Sequence, residues 1–515
     1  MMCPICSETK LQYLFVIHGL PIARCPGCGL VRASVHPANV SFPTSISPFS
    51  EMSQIDERVS DVSSTDIEAS KRYLRTLALS GIRGGRLLFI GSEKHPFRAL
   101  AGDSGFTVDS YDLCSGTPPA FERPYDAAVI LHQIQTVEAP DTFLDQIHGA
   151  LLPGAIVLLT VPLLDSWPAR LLGFHWPEWR LDSRFFFDRV KIQALLLRCG
   201  FQQITVRSDR RLYTLRHICD RAEHSPRTLL TRAIRFGARF LPAFVHATEV
   251  RLSTSSGIVT AARIDKRLRL CCSIVVAAFN EAKSLPVLMD ALLAKKLDAL
   301  DREIIIVESN STDGTREIVL RYQSHPDVTV VLEDAPRGKG VAVRAGLDRA
   351  RGDIILIQDA DLEYDLNDYD DLLEPLLARR AMFVLGSRHG GDWKMRKFEG
   401  QAGLAIVLNV AHIFFTTLIN VLYRQRMRDP FTMYKLFYRD CLHGLRFECC
   451  RFDFDHELVI KLVRKGYTPV EVPVNYRSRT FKEGKKVRMF RDPLTWLWVD
   501  VRLRFSRLYP GRFDE

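Results

Sequence analysis

The 515-residue sequence contains no internal repeat and no long low-complexity tract, which excludes solenoid and largely disordered architectures. It has no leader-like opening. Met1 leads straight into Cys3-Pro4-Ile5-Cys6, so a reducing, cytoplasmic compartment is expected. The cysteines do not suggest a disulfide framework either: Cys271-Cys272 and Cys449-Cys450 are sequence neighbours, a poor arrangement for intramolecular bridging. Long apolar runs are scarce. Only 402–423 reaches membrane length; it lacks Asp, Glu, Lys and Arg, yet Asn409, His412 and Asn420 predict a buried or interfacial helix rather than a span. The N-terminal cysteine segment is not basic and offers no aromatic stacking platform, so a nucleic-acid-binding module is the least favoured reading.

What is present fits packed soluble domains. Hydrophobic residues make up 47% and charged residues 25% of the chain, enough for ordinary cores, and the length suits two or three domains. The net charge of +10 is unevenly placed. From Arg464 to Arg512, thirteen Lys or Arg face four Asp or Glu, a local excess of nine. That tail predicts an anionic partner such as a phosphate or a membrane surface. Residues 1–36 form a cysteine-bearing module. Residues 37–65, rich in Ser, Pro and acids, read as a linker. From 66 to 265, strands at 87–90, 107–111, 127–131, 155–161 and 258–262 alternate with helical stretches. These include 142–152, closed by Pro153-Gly154, and a basic amphipathic helix at 225–245. The rhythm predicts a parallel sheet with crossover helices. A second α/β unit, 266–515, begins with Ser273-Ile274-Val275-Val276. The expected fold class is α/β, with two Rossmann-like domains behind a small N-terminal module.

Two motifs carry chemistry on their own terms. Cys3-x2-Cys6 and Cys25-x2-Cys28 present four thiolates on turns, the second pair enclosing Pro26-Gly27. Such a set satisfies a tetrahedral, structural Zn²⁺. The second motif is Gln358-Asp359-Ala360-Asp361, which follows the apolar run 354–357. Carboxylates one residue apart at a strand end project to one side and repel unless a cation lies between them. A Mg²⁺ or Mn²⁺ ion on a diphosphate suits that geometry.

The middle third resembles class I S-adenosylmethionine methyltransferases that carry a zinc ribbon. Leu87-Leu88-Phe89-Ile90-Gly91 occupies the first strand and glycine loop, and Asp112 matches the acid that holds the cofactor ribose. Tyr125-Asp126-Ala127-Ala128-Val129-Ile130 and Leu151-Leu152-Pro153-Gly154-Ala155 match later motifs. The loop continues as Ser92-Glu93-Lys94-His95-Pro96, and Glu93, Lys94 and His95 would crowd the methionine end of the cofactor. A structural or docking domain is therefore expected in preference to an active methyltransferase.

From about Cys272 to Lys486 the chain resembles family 2 glycosyltransferases of the GT-A fold, particularly those acting on polyprenyl phosphates. Ala277-Ala278-Phe279-Asn280-Glu281 and Glu308-Ser309-Asn310-Ser311-Thr312-Asp313-Gly314-Thr315 stand where the family holds the nucleotide. Relatives usually carry two aspartates in place of Glu308-Ser309. The resemblance assigns Ala277, Phe279, Glu281, Glu308, Lys339 of Arg337-Gly338-Lys339-Gly340, Asp359 and Ala360 to the nucleotide sugar. Asp359, Asp361 and Glu363 are the implied metal ligands. Arg388, Arg428, Arg479 and Lys485 are implied for the acceptor phosphate, and Asp361, Asp455 and Glu457 for the reacting centre. A stripe of Leu494, Leu497, Val501, Phe505 and Leu508, flanked by Trp496 and Trp498, resembles an interfacial helix. The expectation is a metal-dependent, inverting transfer of a hexose from a nucleotide sugar to a polyprenyl phosphate or other envelope acceptor. The enzyme would lie peripherally on the cytoplasmic face of a membrane. The alternative is a bifunctional enzyme that also methylates the glycan.

Overall fold

Among the described residues three β-sheets organise the fold, and the strands at their centres are largely apolar. The computed structural model describes residues 2–17, 20–33, 64–92, 94–113, 124–176, 178–180, 182–214, 249–263, 269–388, 402–477, 491–506 and 508. Contacts divide the chain into two units, Met1–Lys266 and Arg267–Glu515.

In the first unit, strands β1 (Gln12–Ile17), β2 (Leu20–Arg24) and β3 (Val31–Ala33) form an antiparallel ribbon. There follow α1 (Ser64–Leu79), β4 (Gly85–Ile90), α2 (Phe97–Asp103), β5 (Phe106–Tyr111), β6 (Tyr125–Leu131), α3 (Pro140–Ala150), β7 (Leu151–Pro162), α4 (Trp167–Leu172), β8 (Phe185–Phe186), α5 (Arg189–Arg198), β9 (Phe201–Thr214) and β10 (Glu249–Arg263). The main sheet runs β5-β4-β6-β7-β10-β9. Its first four strands are parallel, as alternation predicts, but β10 runs antiparallel to both β7 and β9. Leu87, Phe89, Ala127, Val129 and Leu158 are fully buried in its core, with Tyr73 and Leu77 of α1 packed on them. The expected helix at 142–152 starts and stops earlier. Leu151 already pairs with Tyr125, and Pro153-Gly154 fall inside the strand, where the register shifts between Tyr125 and Ala127. A φ of 79° at Gly154 absorbs this irregularity. The proposed basic helix at 225–245 lies outside the described residues.

The cysteine ribbon is fused to this unit. Strand β3 pairs with β8, Val31 opposite Phe186. Ile22, Val31, Trp176, Trp179 and Phe186 then share one apolar cluster. Burying each indole removes roughly 200 Å² from water, on the order of 5 kcal/mol. Their N–H groups are satisfied by Ser255 Oγ at 2.9 Å and the Gly173 carbonyl at 3.0 Å. At the ribbon's end the Sγ atoms of Cys3, Cys6, Cys25 and Cys28 lie within 4.8 Å of one another. That spacing fits four thiolates about 2.3 Å from one Zn²⁺.

The second unit contains β11 (Cys271–Ala278), α6 (Leu285–Ala294), β12 (Asp301–Glu308), α7 (Thr315–Arg321), β13 (Val328–Leu332), α8 (Lys339–Arg349), β14 (Ile354–Asp359), α9 (Tyr369–Leu377), β15 (Phe383–Ser387), α10 (Ala402–Tyr423), β16 (Lys435–Tyr438), α11 (Asp453–Lys465), β17 (Val470–Pro473) and α12 (Arg491–Phe505). The sheet order is β13-β12-β11-β14-β16-β15-β17. The first four strands are parallel, so Ala278, Glu308, Leu332 and Asp359 end along one edge, where α/β sheets bind ligands. Gly346 lets α8 press onto this sheet, since a Cβ there would come within 2.4 Å of Val275 Cγ1. Helix α10 buries His412, Phe415 and Ile419 and exposes Val410, Phe414 and Val421. Among the described residues no helix is long and apolar enough to cross a membrane.

A Zn²⁺ ion held by these four thiolates would make the ribbon and the tryptophan cluster fail together. Chelation, or Cys28→Ser, is expected to abolish zinc content, red-shift tryptophan fluorescence and lower Tm. Unchanged fluorescence and Tm after loss of the four-thiolate ion would contradict this coupling.

Candidate active site

Two loops at the edge of the second sheet lock together. Asn280 adopts a left-handed φ of 51°, which Asn tolerates better than most residues. Its N–H donates to Ser311 Oγ at 2.9 Å, and its Oδ1 accepts from the Thr312 N–H at 2.9 Å. The Glu281 N–H donates to Thr315 Oγ1 at 2.9 Å and the Ala282 N–H to Asp313 Oδ2 at 3.0 Å. Burial works against the Asp313 anion, but the Thr315 hydroxyl and the N–H groups of Ala282 and Thr315, which all donate to it, prevail and lower its pKa. Ala277, Phe279 and Glu281 are thus half-buried at the same edge. Glu308 is placed differently. Its carboxylate is fully buried, accepts from the Ser311 N–H at 2.6 Å and pairs with Arg316 at 2.5 Å. It closes the turn that follows β12.

Next to these loops lies a cluster of charge. Lys339 begins α8, and its Nζ lies 2.7 Å from Asp359 Oδ1 and 2.9 Å from Met433 Sδ. Burial would lower the Lys339 pKa, but Asp359, Asp455 and Asp361 outweigh it and raise it. Two glycines make the approach possible. A Cβ on Gly338 would meet the Cys450 carbonyl at 2.6 Å, and one on Gly340 would meet Phe454 Cβ at 2.6 Å. Ala360 and Asp361 are buried, and Asp361 Oδ1 accepts from the Glu363 N–H at 3.2 Å. Glu363 Oε2 accepts from the Tyr476 hydroxyl at 2.9 Å. On the other side, the fully buried Lys435 Nζ lies 2.9 Å from Asp455 Oδ1. Burial alone would raise the Asp455 carboxyl, yet Lys435 and Lys339 hold it below the ordinary aspartate range.

Two of the expected acceptor-side and catalytic residues are held by partners within the fold. Glu457 is fully buried, accepts from the N–H groups of Glu448 and Cys449 at 3.0 and 2.8 Å, and pairs with Lys461 at 2.5 Å. It holds the backbone against which Gly338 and Gly340 pack. Arg388 is also committed elsewhere. Its Nε and Nη2 donate to both oxygens of Asp429 at 2.8 and 2.7 Å, and its guanidinium lies 5.2 Å from the Tyr476 ring centre. Arg428 is exposed, with its N–H held by Glu471 at 2.8 Å. Arg479 and Lys485 lie outside the described residues. Lys435 and Asp429, within the expected acceptor-side motif Arg428–Lys435, and Tyr476, at the start of the expected phosphate-clamping segment Tyr476–Lys486, received no individual role from the sequence. Only a lysine opening the apolar strand Lys435-Leu436-Phe437-Tyr438 hinted at a buried pair.

In the first unit Gly91 follows β4, and a Cβ there would come within 2.9 Å of Phe89 Cζ. His95 Nδ1 accepts from the Phe97 N–H at 3.2 Å, and its ring centre lies 6.1 Å from that of Phe89. The imidazole therefore folds back toward the strand end, where a glycine loop would give way to a cofactor. Asp112, half-buried, follows β5.

Residues 273–445 match the family described as Glycosyl transferase family 2, and residues 65–206 match a Methyltransferase domain family. A dolichyl-phosphate beta-glucosyltransferase of Trichomonas vaginalis is 30% identical over 235 residues, covering 42% of this chain and 68% of that protein. The human dolichyl-phosphate beta-glucosyltransferase is 31% identical over 259 residues, covering 46% of this chain and 74% of that protein. Glucosyl-3-phosphoglycerate synthase from Mycobacterium tuberculosis, solved with Mn²⁺, UDP and phosphoglyceric acid, covers 46% of this chain and 80% of its own. At 19% identity and a TM-score of 0.34 it is too distant to carry a functional argument.

The Arg388–Asp429 pair makes a pH-dependent contribution. Burial opposes the Asp429 anion, but Arg388 and then His412 hold its carboxyl well below the ordinary range. The stabilisation is complete above about pH 4, the usual aspartate value, and is lost as pH falls toward the lowered one. Asp429→Asn should cost about 3–5 kcal/mol at pH 7. Urea unfolding across pH 2–7 should show a flatter acid limb for the variant; parallel curves would contradict the assignment.

Proposed function

The chain belongs to glycosyl transferase family 2, and on that premise we propose that it is a metal-dependent, inverting hexosyltransferase. Its donor is a nucleotide sugar, and its acceptor a polyprenyl phosphate or a related envelope glycan. The observation that carries this reading is the cluster of Lys339, Asp359, Asp361, Asp455 and Lys435. Counted alone, two ammonium groups meet three carboxylates, leaving one net negative charge. All the anionic donors are hard oxygens, which fits Mg²⁺ or Mn²⁺.

Asp359 and Asp361 would hold that ion, with Glu363 steered toward Tyr476 instead. The bound ion neutralises charge on the departing diphosphate. Lys339 adds a positive charge at the mouth of α8, where the glycines keep the backbone close. Ala277, Phe279 and Glu281 line the nucleoside side. Asp455 is held as an anion by two lysines, which makes it a poor proton acceptor, and Glu457 is sealed away. That pairing favours an acceptor already ionised near neutral pH, such as a phosphate, over a hydroxyl that needs a strong base. Arg428, Arg479 and Lys485 would orient it.

A membrane surface suits α12. It packs inward through Val499, Asp500 and Leu503. Leu494, Leu497, Trp498, Val501 and Phe505 are left exposed, with Arg504 beside them. The folded-back His95 favours a methyltransferase-like unit that serves structure or docking without S-adenosylmethionine. Calorimetric binding of that cofactor would favour the bifunctional alternative.

Asp361→Ala is expected to lower sugar transfer, assayed with Mn²⁺ and a polyprenyl phosphate, by about 10²–10³-fold while leaving Tm nearly unchanged. Full activity in the folded variant would exclude the role given to Asp361.

A further inference from the structure

The end of β12 and the turn after it carry Glu308-Ser309. Glu308 is buried and bound to the Ser311 N–H and Arg316, so it presents no carboxylate edge to a base.

A different residue brings a carboxylate to the same place. Glu333 directly follows β13, and its N–H continues the ladder by donating to the Glu308 carbonyl at 2.8 Å. The Glu333 carbonyl accepts from Arg316 Nη2, so the same arginine holds both segments. Ser309 lies between the strands. Its N–H donates to the Ala278 carbonyl at 3.1 Å, and its hydroxyl donates to Glu333 Oε2 at 2.6 Å. The carboxylate is thus fixed by one oxygen. Among the described residues, Oε1 makes no hydrogen bond or ion pair, and Glu333 is only half-buried. Serine and glutamate stand at the carboxyl ends of neighbouring parallel strands, beside the loop of Phe279 and Glu281.

We propose that Glu333, oriented by Ser309, is the base-reading residue of this transferase and accepts the ring N–H of a uracil, thymine or guanine nucleoside diphosphate. The inference rests on the nucleotide-sugar reading above and adds a selectivity to it. Uracil and thymine offer N3–H, and guanine offers N1–H with its amino group. Cytosine N3 and adenine N1 are acceptors and would face the carboxylate lone pairs, leaving only the exocyclic amino group to donate from a shifted pose. An acceptor facing another acceptor is penalised, so CDP- and ADP-sugars should bind more weakly. Sequence reading misses this residue because Glu333 lies outside the Glu308–Thr315 motif and joins it only through strand pairing.

The test is calorimetric titration of the full chain with Mn²⁺ and UDP, dTDP, GDP, CDP or ADP, with inorganic pyrophosphate as a base-free control. Wild-type protein is expected to bind at least one of the first three at least tenfold tighter than CDP and ADP. Glu333→Ala should weaken that nucleotide about tenfold and leave CDP and pyrophosphate unchanged. Glu333→Gln keeps the size and the hydrogen bond to Ser309, so it should fold normally. Its amide donates as well as accepts, and the gap between the preferred nucleotide and CDP should narrow at least tenfold. Variants that keep the wild-type preference, or that weaken every nucleotide equally, overturn the assignment. A wild-type protein that binds pyrophosphate with Mn²⁺ but shows no base preference overturns it as well. A wild-type protein that binds none of these ligands removes the transferase reading and this inference with it.

Discussion

Uncompensated negative charge is the constraint around which the second unit is arranged. Asp359, Asp361 and Asp455 gather where β14 and α11 meet the start of α8, and two lysines do not balance them. Three carboxylates packed this way repel, and the buried members cannot be screened by water. The fold tolerates them because Lys339 and Lys435 come in from opposite sides. A site left one charge short in this manner is poised for a cation that arrives with its own phosphates.

Much of the surrounding structure exists to keep that cluster in place. Glu457 ties down the backbone at 448–449, which gives Gly338 and Gly340 a surface to press against, and their closeness delivers Lys339 to Asp359. The Arg388–Asp429 pair, stacked on Tyr476, connects the wall of the site to the segment that carries Glu363's partner. Glu457, expected at the reacting centre, is held by the N–H groups of Glu448 and Cys449 and by Lys461. A buried carboxylate with three donors cannot also serve as a base, because its lone pairs are already directed into the protein.

The alternating α/β layout and the strand end at Asp359-Ala360-Asp361 were readable in the sequence because both are local. An apolar run before Asp359-Ala360-Asp361 specifies a buried strand and its end within ten residues. The four-cysteine spacing was equally local, and the ligand atoms do converge. Pairings across the fold were not readable. The link of Glu333 to Ser309 depends on which strands are neighbours, and the link of Lys435 to Asp455 depends on how α11 crosses β16. The antiparallel β10 and the bulge at Pro153-Gly154 were missed for the same reason, since strand direction is set by pairing and not by composition. The fusion of the ribbon to the methyltransferase-like sheet rests on the two-residue strand β8, which leaves no periodic signal.

The central claim is that the Asp359–Asp361 pair receives a divalent ion together with a nucleoside diphosphate. Crystals of the full chain grown with Mn²⁺ and UDP or GDP, with data collected at the manganese edge, test it most directly. An anomalous peak within coordination distance of both carboxylates, on the diphosphate and beside Lys339, is the predicted result. Bound nucleotide with manganese elsewhere, and Lys339 still closing an ion-free Asp359, would contradict the account.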